Sequence, residues 1–237
     1  MPSFGVISEG PTDFAVLKNV LHGFFKTDEG APVVVAVQPK TSSDPGGWTL
    51  VMRALRQGDV RQALQFHDFV VVQIDTDVCE EKGFDVPRAR EGRTLTVEEL
   101  ASDVRARLLV EMGSPDEAVT ARMIFAIAVD ELECWLLPLL FDRSEKTRSE
   151  KTTGCLKAAN DKLASEKRLQ LSAHDGSKKN PRAYEAASID FRKKKDLLAA
   201  AGRNESLRLF VRELGRHASE PSNEVTSAAS WESDGRE

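Results

Sequence analysis

The sequence has no apolar run approaching the ~20 residues that a membrane-spanning helix needs. Its N-terminus also lacks a basic stretch leading into an apolar one. Neither a membrane span nor a secretory leader is therefore expected, and a cytoplasmic location is. Cysteine is scarce: Cys79, Cys134 and Cys155 are an odd number with no Cys-x-x-Cys pair. His22, His67, His174 and His217 are scattered along the chain. Neither a zinc site nor a disulfide framework is expected from this pattern. Aromatic residues make up only 6% of the chain and form no stripe interleaved with basic residues, which argues against a surface that reads splayed bases. Gly10 and the Gly46-Gly47 pair do not make a phosphate-cradling loop, and there is no Walker motif.

Charge is present in quantity and is unevenly placed. Residues 1–141 carry 13 Lys+Arg against 22 Asp+Glu, a balance of -9. Residues 142–218 carry 19 against 11, a balance of +8, and residues 219–237 carry 1 against 5, a balance of -4. An acidic first part beside a basic second part suits a metal site next to a phosphate-binding surface. A solvated, Lys-rich helical surface has the same composition, so charge alone does not choose.

Hydrophobic periodicity organises the first part. Phe4 to Ser8 is a short apolar run ending at Glu9-Gly10-Pro11, a strand followed by a turn. Thr12 and Asp13 open a helix with Phe14, Leu17, Leu21 and Phe24/Phe25 at helical spacing. Pro32 to Val37 reads as a buried strand, Pro39 to Gly47 as a loop and Trp48 to Gln57 as a helix. Phe69 to Ile74 is the clearest buried strand, and it runs into Asp75-Thr76-Asp77. Residues 79–95 read as a polar loop, Val97 to Met112 as an amphipathic helix and Met123 to Val129 as another strand. Asp130-Glu131-Leu132-Glu133 then leads into a helix through Leu140. Alternating helices and nearly continuous apolar strands imply an α/β fold with a mainly parallel sheet covered on both faces. Beyond residue 142 the pattern is helical, with a polar loop at His174 to Pro181, and residues 219–237 read as disordered. The expected division is an α/β domain over 1–141, a basic helical region over 142–218 and a tail over 219–237.

Three of the four strands end in acids: Glu9, then Asp75 and Asp77, then Asp130, Glu131 and Glu133. Open α/β sheets bind ligands outside the carboxyl ends of their strands. Carboxylates gathered there repel one another and raise their own pKa values unless a cation neutralises them. Oxygen-only ligands favour a hard ion such as Mg²⁺, which can polarise a phosphate oxygen. Each cluster also has a plainer reading: a strand-end turn, a helix cap, or the acidic first turn of a helix. Glu131 and Glu133 can share one ion only if the chain has not turned helical between them.

Glu9-Gly-Pro-Thr-Asp13 after a first strand, followed by a strand ending in Asp75-x-Asp77, resembles the signature of TOPRIM domains. These occur in topoisomerases, bacterial primases and OLD-type nucleases. Glu131-Leu-Glu133-Cys-Trp135-Leu-Leu137 is similar to a stretch in small bacterial TOPRIM-like proteins of the OLD-related group. The resemblance covers about residues 4–140. It implies a TOPRIM/Rossmann-like fold with Glu9 as metal ligand or general base and Asp75 and Asp77 as the metal-binding pair. Glu133 would be an additional acid, with Glu131 secondary, and the ion would be Mg²⁺ or Mn²⁺. Asp13 would support the first helix, and Trp135 would pack in the core. A lysine beyond the acids is also implied, and Ser177-Lys178-Lys179-Asn180-Pro181-Arg182 has the right character, with Lys178 or Lys179 stabilising charge on a phosphate. Arg192 to Lys195 would contact backbone phosphates nonspecifically, or nothing. The activity implied is metal-dependent cleavage of DNA or RNA, in proteins often encoded beside an ATPase partner and linked to anti-phage defence. An interaction subunit held by such an ATPase, and a phosphoryl-transfer enzyme acting on nucleotides, remain rivals; self-association is left open.

Overall fold

A computed structural model describes residues 1–39, 46–113, 115–150, 152–173 and 178–219. Most of the expected Pro39 to Gly47 loop, part of the His174 to Pro181 loop, and the tail beyond Ser219 lie outside the described residues. The chain opens with Ser3–Ile7 (β1), Pro11–Phe25 (α1), Val33–Gln38 (β2), Trp48–Gln57 (α2), Asp59–Ala63 (α3) and Phe69–Asp75 (β3). A short ribbon, Ala89–Arg90 (β4) and Arg93–Thr94 (β5), precedes Val97–Glu111 (α4), Glu117–Thr120 (α5) and Met123–Ala128 (β6). Glu133–Leu140 (α6), Lys146–Ser149 (α7), Cys155–Ser165 (α8) and Pro181–Ala187 (α9) follow. A 3₁₀ turn over Ile189–Arg192, then Lys194–Ala201 (α10) and Glu205–Ser219 (α11), complete the described part.

Strands β2-β1-β3-β6 form one parallel sheet in that order. The chain steps from β1 outward to β2, then returns to the other side of β1 for β3. The order therefore reverses between β1 and β3, and the crevice at their carboxyl ends is where such sheets bind ligands. The fold is α/β and Rossmann-like, as the strand periodicity implied.

Strand pleating sorts the core into two layers. Phe4 and Val6 of β1, Val71 of β3 and Ile124 and Ala126 of β6 face α1, α6, α8 to α11 and the 3₁₀ turn. Ile7, Val70, Val72, Ile74, Phe125 and Ile127 face α2, α3 and α4. Successive side chains of a strand point to opposite faces, so one apolar run fills both layers. Helices from beyond residue 142 contribute Leu163, Tyr184, Phe191, Leu207 and Phe210 to the same layer as α1. The basic region thus shares its core with the sheet. Gly23 shows how closely they meet: a Cβ there would lie 1.8 Å from the Phe191 carbonyl oxygen.

Three expectations need correction. The strand read as buried over Pro32 to Val37 is the edge strand β2, with Val33 and Val35 exposed. Residues 79–95 are not simply a polar loop: Cys79, Phe84 and Val86 are buried against the α4 layer, and β4 pairs with β5. More consequentially, Cys134 and Cys155 form a disulfide, against the expectation of none. The spacing rule failed because helices α6 and α8 start side by side, which places two sequence-distant cysteines with their Cα atoms 5.0 Å apart. Closing a loop of 21 residues restricts the unfolded chain by about 3 kcal/mol. Reduction, or Cys155→Ser, should therefore lower the melting temperature by about 6–12 °C. Matched thermal scans with and without reductant check this; unchanged midpoints would remove the disulfide from the stability account.

Candidate acidic site

The site begins where β1 and β3 end. Glu9 lies just past β1, and its Oε1 accepts the Asp75 N–H at 2.7 Å. Gln73, fully buried in β3, accepts the Glu9 N–H at 3.1 Å and donates to Asp75 Oδ1 at 2.9 Å. A buried amide side chain and two backbone groups thus tie together the two strand ends that carry acids. The Gly46-Gly47 pair closes over this turn: Gly47 N–H donates to the Glu9 carbonyl at 2.8 Å, and a Cβ on Gly46 would lie 2.8 Å from the same oxygen.

Burial drives the electrostatics. Taking a carboxylate out of water favours its neutral form, and neighbouring carboxylates add to the effect. Glu9 is pushed up to about 8 by burial, with the Asp13 charge next in size and Asp77 contributing. Asp75 is raised by burial and by Glu9, Asp13 and Glu133. Asp77 is exposed at the residue level; burial of its carboxyl still raises its pKa, opposed by the Val78 N–H that it accepts at 3.0 Å.

Asp13 is the residue that sequence reasoning undervalued. It is 4% exposed, is pushed up to about 6 by burial, and feels Lys179 and Glu133. The Gly10 and Asp13 N–H groups favour its charge, but α1 has no side-chain cap at its start. Its Oδ1, however, is buried with no hydrogen-bond partner. The signal was available: Asp13 lies in the first turn of the helix that begins two residues after Glu9, at the same sheet edge.

Glu133 sits at the first turn of α6 with no exposed surface. Its Oε1 receives Lys179 Nζ at 2.7 Å and the Tyr184 hydroxyl, while Oε2 has no hydrogen-bond partner. Burial, and then the Glu133 charge, raise the Tyr184 pKa. Burial alone would lower the Lys179 pKa, but Glu133, Asp13 and Asp75 together raise it. Lys179 keeps 37% of its side-chain surface exposed, so it sits at the mouth of the cluster and not sealed beneath it.

The remaining candidates separate. Glu131 lies before α6, and its Oε1 accepts the Leu156 N–H at the start of α8 at 2.8 Å. It turns to α8 while Glu133 turns to Lys179, so the two acids do not share a hydrogen-bond partner, although both feel the Lys179 charge. Lys178 is exposed and points to no acid of the cluster, which leaves Lys179 as the lysine brought to the site. Ser177 lies outside the described residues. Trp135 is buried, stacks on Phe210 at 5.4 Å and donates to Ser206 at 2.8 Å, a core residue as expected. Arg192 donates to Asn19, Lys193 pairs with Asp190 and Lys194 lies over Phe24, so these three are held by partners within the chain.

The donor set is carboxylate oxygen with two buried unpartnered oxygens, Asp13 Oδ1 and Glu133 Oε2, which fits a hard divalent cation. Among the described residues, the one group offering three ligand atoms within 4.8 Å of one another is Glu131, Cys134 and Cys155. Its sulfurs are bonded to each other. The strand-end acids are spread more widely, around Lys179. Comparison with protein-family models, with curated proteins and with solved structures returned no match. The case for function therefore rests on the site itself.

Proposed function

We propose that this chain is a TOPRIM-like nuclease that hydrolyses nucleic-acid phosphodiesters with Mg²⁺ or Mn²⁺. One observation supports the reading: Glu9 and Asp75 are joined at the switch point of the sheet, the Asp77 charge acts on Glu9, and Lys179 enters the same cluster from the basic region. Glu9, Asp75 and Asp77 would hold the ion, with Asp13 and Glu133 completing the negative charge around it. A bound divalent ion supplies Lewis-acid polarisation of a phosphate oxygen.

The chain's own groups account for the rest. Without an ion the Glu9 pKa is pushed up to about 8, so holding the ion would release its proton near neutral pH. Lys179, cationic at that pH and partly exposed, suits stabilisation of charge developing on a phosphate oxygen. Tyr184 holds Glu133 in place beneath it. The low aromatic content favours contacts with the backbone over stacking on bases. A role as an effector in anti-phage defence, held by an ATPase partner, rests on the sequence resemblance alone.

The test is incubation of the purified chain with plasmid DNA and with tRNA, with and without Mg²⁺ or Mn²⁺. Cleavage should require the metal, fall by about 10²-fold in Lys179→Ala and stay near wild type in Lys178→Ala. No metal-dependent cleavage of either substrate would reject the reading. Equal losses in the two lysine variants would reject Lys179 as the particular group.

A further inference from the structure

Between the Asp75-Thr76-Asp77 segment and the turn that leads to Glu131 lies a cation that the reading above does not use. Arg88 donates through NH2 to the Thr76 carbonyl oxygen. It also donates through both terminal nitrogens to Asp130 Oδ1, at 3.3 and 3.2 Å, and bonds the Cys79 side chain. Its side chain is 31% exposed, and each of these partners is internal. A guanidinium so engaged has few donors left for a phosphate; its rigid fork serves to hold acceptors at set positions.

The two acceptors are informative. The Thr76 carbonyl belongs to the peptide bond that joins Thr76 to Asp77, so Arg88 sets the plane from which the Asp77 side chain departs. Asp130 is one of few non-glycine residues with positive φ, at 68°, in the left-handed region that side chains occupy reluctantly. It immediately precedes Glu131 and stands three residues before Glu133. The backbone repeats the link: Asp130 N–H donates to Thr76 Oγ1 at 2.8 Å, and Thr76 N–H donates to the Asp130 carbonyl at 3.0 Å.

We infer that Arg88 is a positioning residue whose fork to Thr76 and Asp130 locks the Asp77 turn to the turn carrying Glu131 and Glu133, and so sets the cation affinity of the acidic site. The inference rests on the divalent-cation reading of that site. A lysine at this position keeps the charge but lacks the rigid fork that fixes the two acceptors relative to each other. Removing an interaction that orients metal ligands typically weakens metal binding by about 10–100-fold.

The experiment measures Mn²⁺ binding by calorimetry, and separately Mn²⁺-activated cleavage, for wild type, Arg88→Lys, Asp130→Asn and the double variant. Asn tolerates the left-handed conformation, so Asp130→Asn removes the charge without straining the turn. Each single variant should raise the Mn²⁺ dissociation constant about tenfold. The double variant should be no weaker than either, because both break one link. Unchanged Mn²⁺ affinity in folded Arg88→Lys, or losses that multiply in the double variant, would overturn the inference. Wild type that binds Mn²⁺ but cuts nothing would sink the nuclease reading while the affinity series still decides the role of Arg88. Wild type that binds no Mn²⁺ would sink both.

Discussion

Asp75→Asn should reduce metal-dependent cleavage by about 10³-fold while leaving the melting temperature equal to or above that of the wild type. The two outcomes have one cause. Asp75 is 7% exposed, and burial together with Glu9, Asp13 and Glu133 raises its pKa. Its charge is costly to the fold, and only a ligand that needs the charge gives it a use. Asparagine keeps the shape, and its carbonyl can accept the Gln73 amide that now reaches Asp75 Oδ1. Glu9→Gln should behave alike, since a glutamine oxygen can accept the Asp75 N–H. Cleavage rates and thermal scans on the same preparations check both halves. A variant that loses activity by losing stability would mark these acids as structural, and one that keeps activity would remove them from the site.

The second large effect is a stability that falls as pH rises, and that divalent cations restore. Glu9 is pushed from an ordinary 4.5 up to about 8, and Asp13 from 3.8 up to about 6. Between the unfolded and folded pKa values the native chain holds protons that the unfolded chain has released, so the unfolded state binds fewer. Stability then decreases with increasing pH. Each such proton takes up to about 1.4 kcal/mol per pH unit, or roughly 3–5 °C of melting temperature for a chain of this size. The Glu9 contribution is fully present below about pH 4.5 and is lost as pH climbs to about 8, and that of Asp13 is present below about 3.8 and lost by about 6. Surface carboxylates such as Glu99, lowered to about 2 by Arg93, act in the opposite sense, but below that window.

A metal ion that binds the deprotonated cluster reverses the loss, and at a hundred times its dissociation constant it adds about 2.7 kcal/mol. Thermal scans from pH 5 to 8.5 should therefore show a Mn²⁺-induced rise that is small at pH 5 and largest near pH 8. Glu9→Gln should flatten the metal-free slope. A Mn²⁺ effect independent of pH would mean that the ion binds elsewhere.

What the sequence by itself determined is the part written in near neighbours. Nearly continuous apolar runs placed β1, β2, β3 and β6, and helical spacing placed α1, α2 and α4, because both patterns are written in neighbouring residues. Acids at three strand ends also allowed Glu9, Asp75 and Asp77 to lie at one sheet edge, provided that the strands ran parallel. Other features depend on which distant segments pack together, and only the tertiary structure decided them. Lys179 could be told from Lys178 only once Tyr184 and Glu133 were buried in one layer, 0% exposed on both sides of the contact. The Cys134–Cys155 bond required α6 and α8 to start side by side. Arg88 acquired its fork because the loop after β3 folds back over the turn after β6. Periodicity records which face of an element is apolar, but no local pattern records which apolar face it will meet.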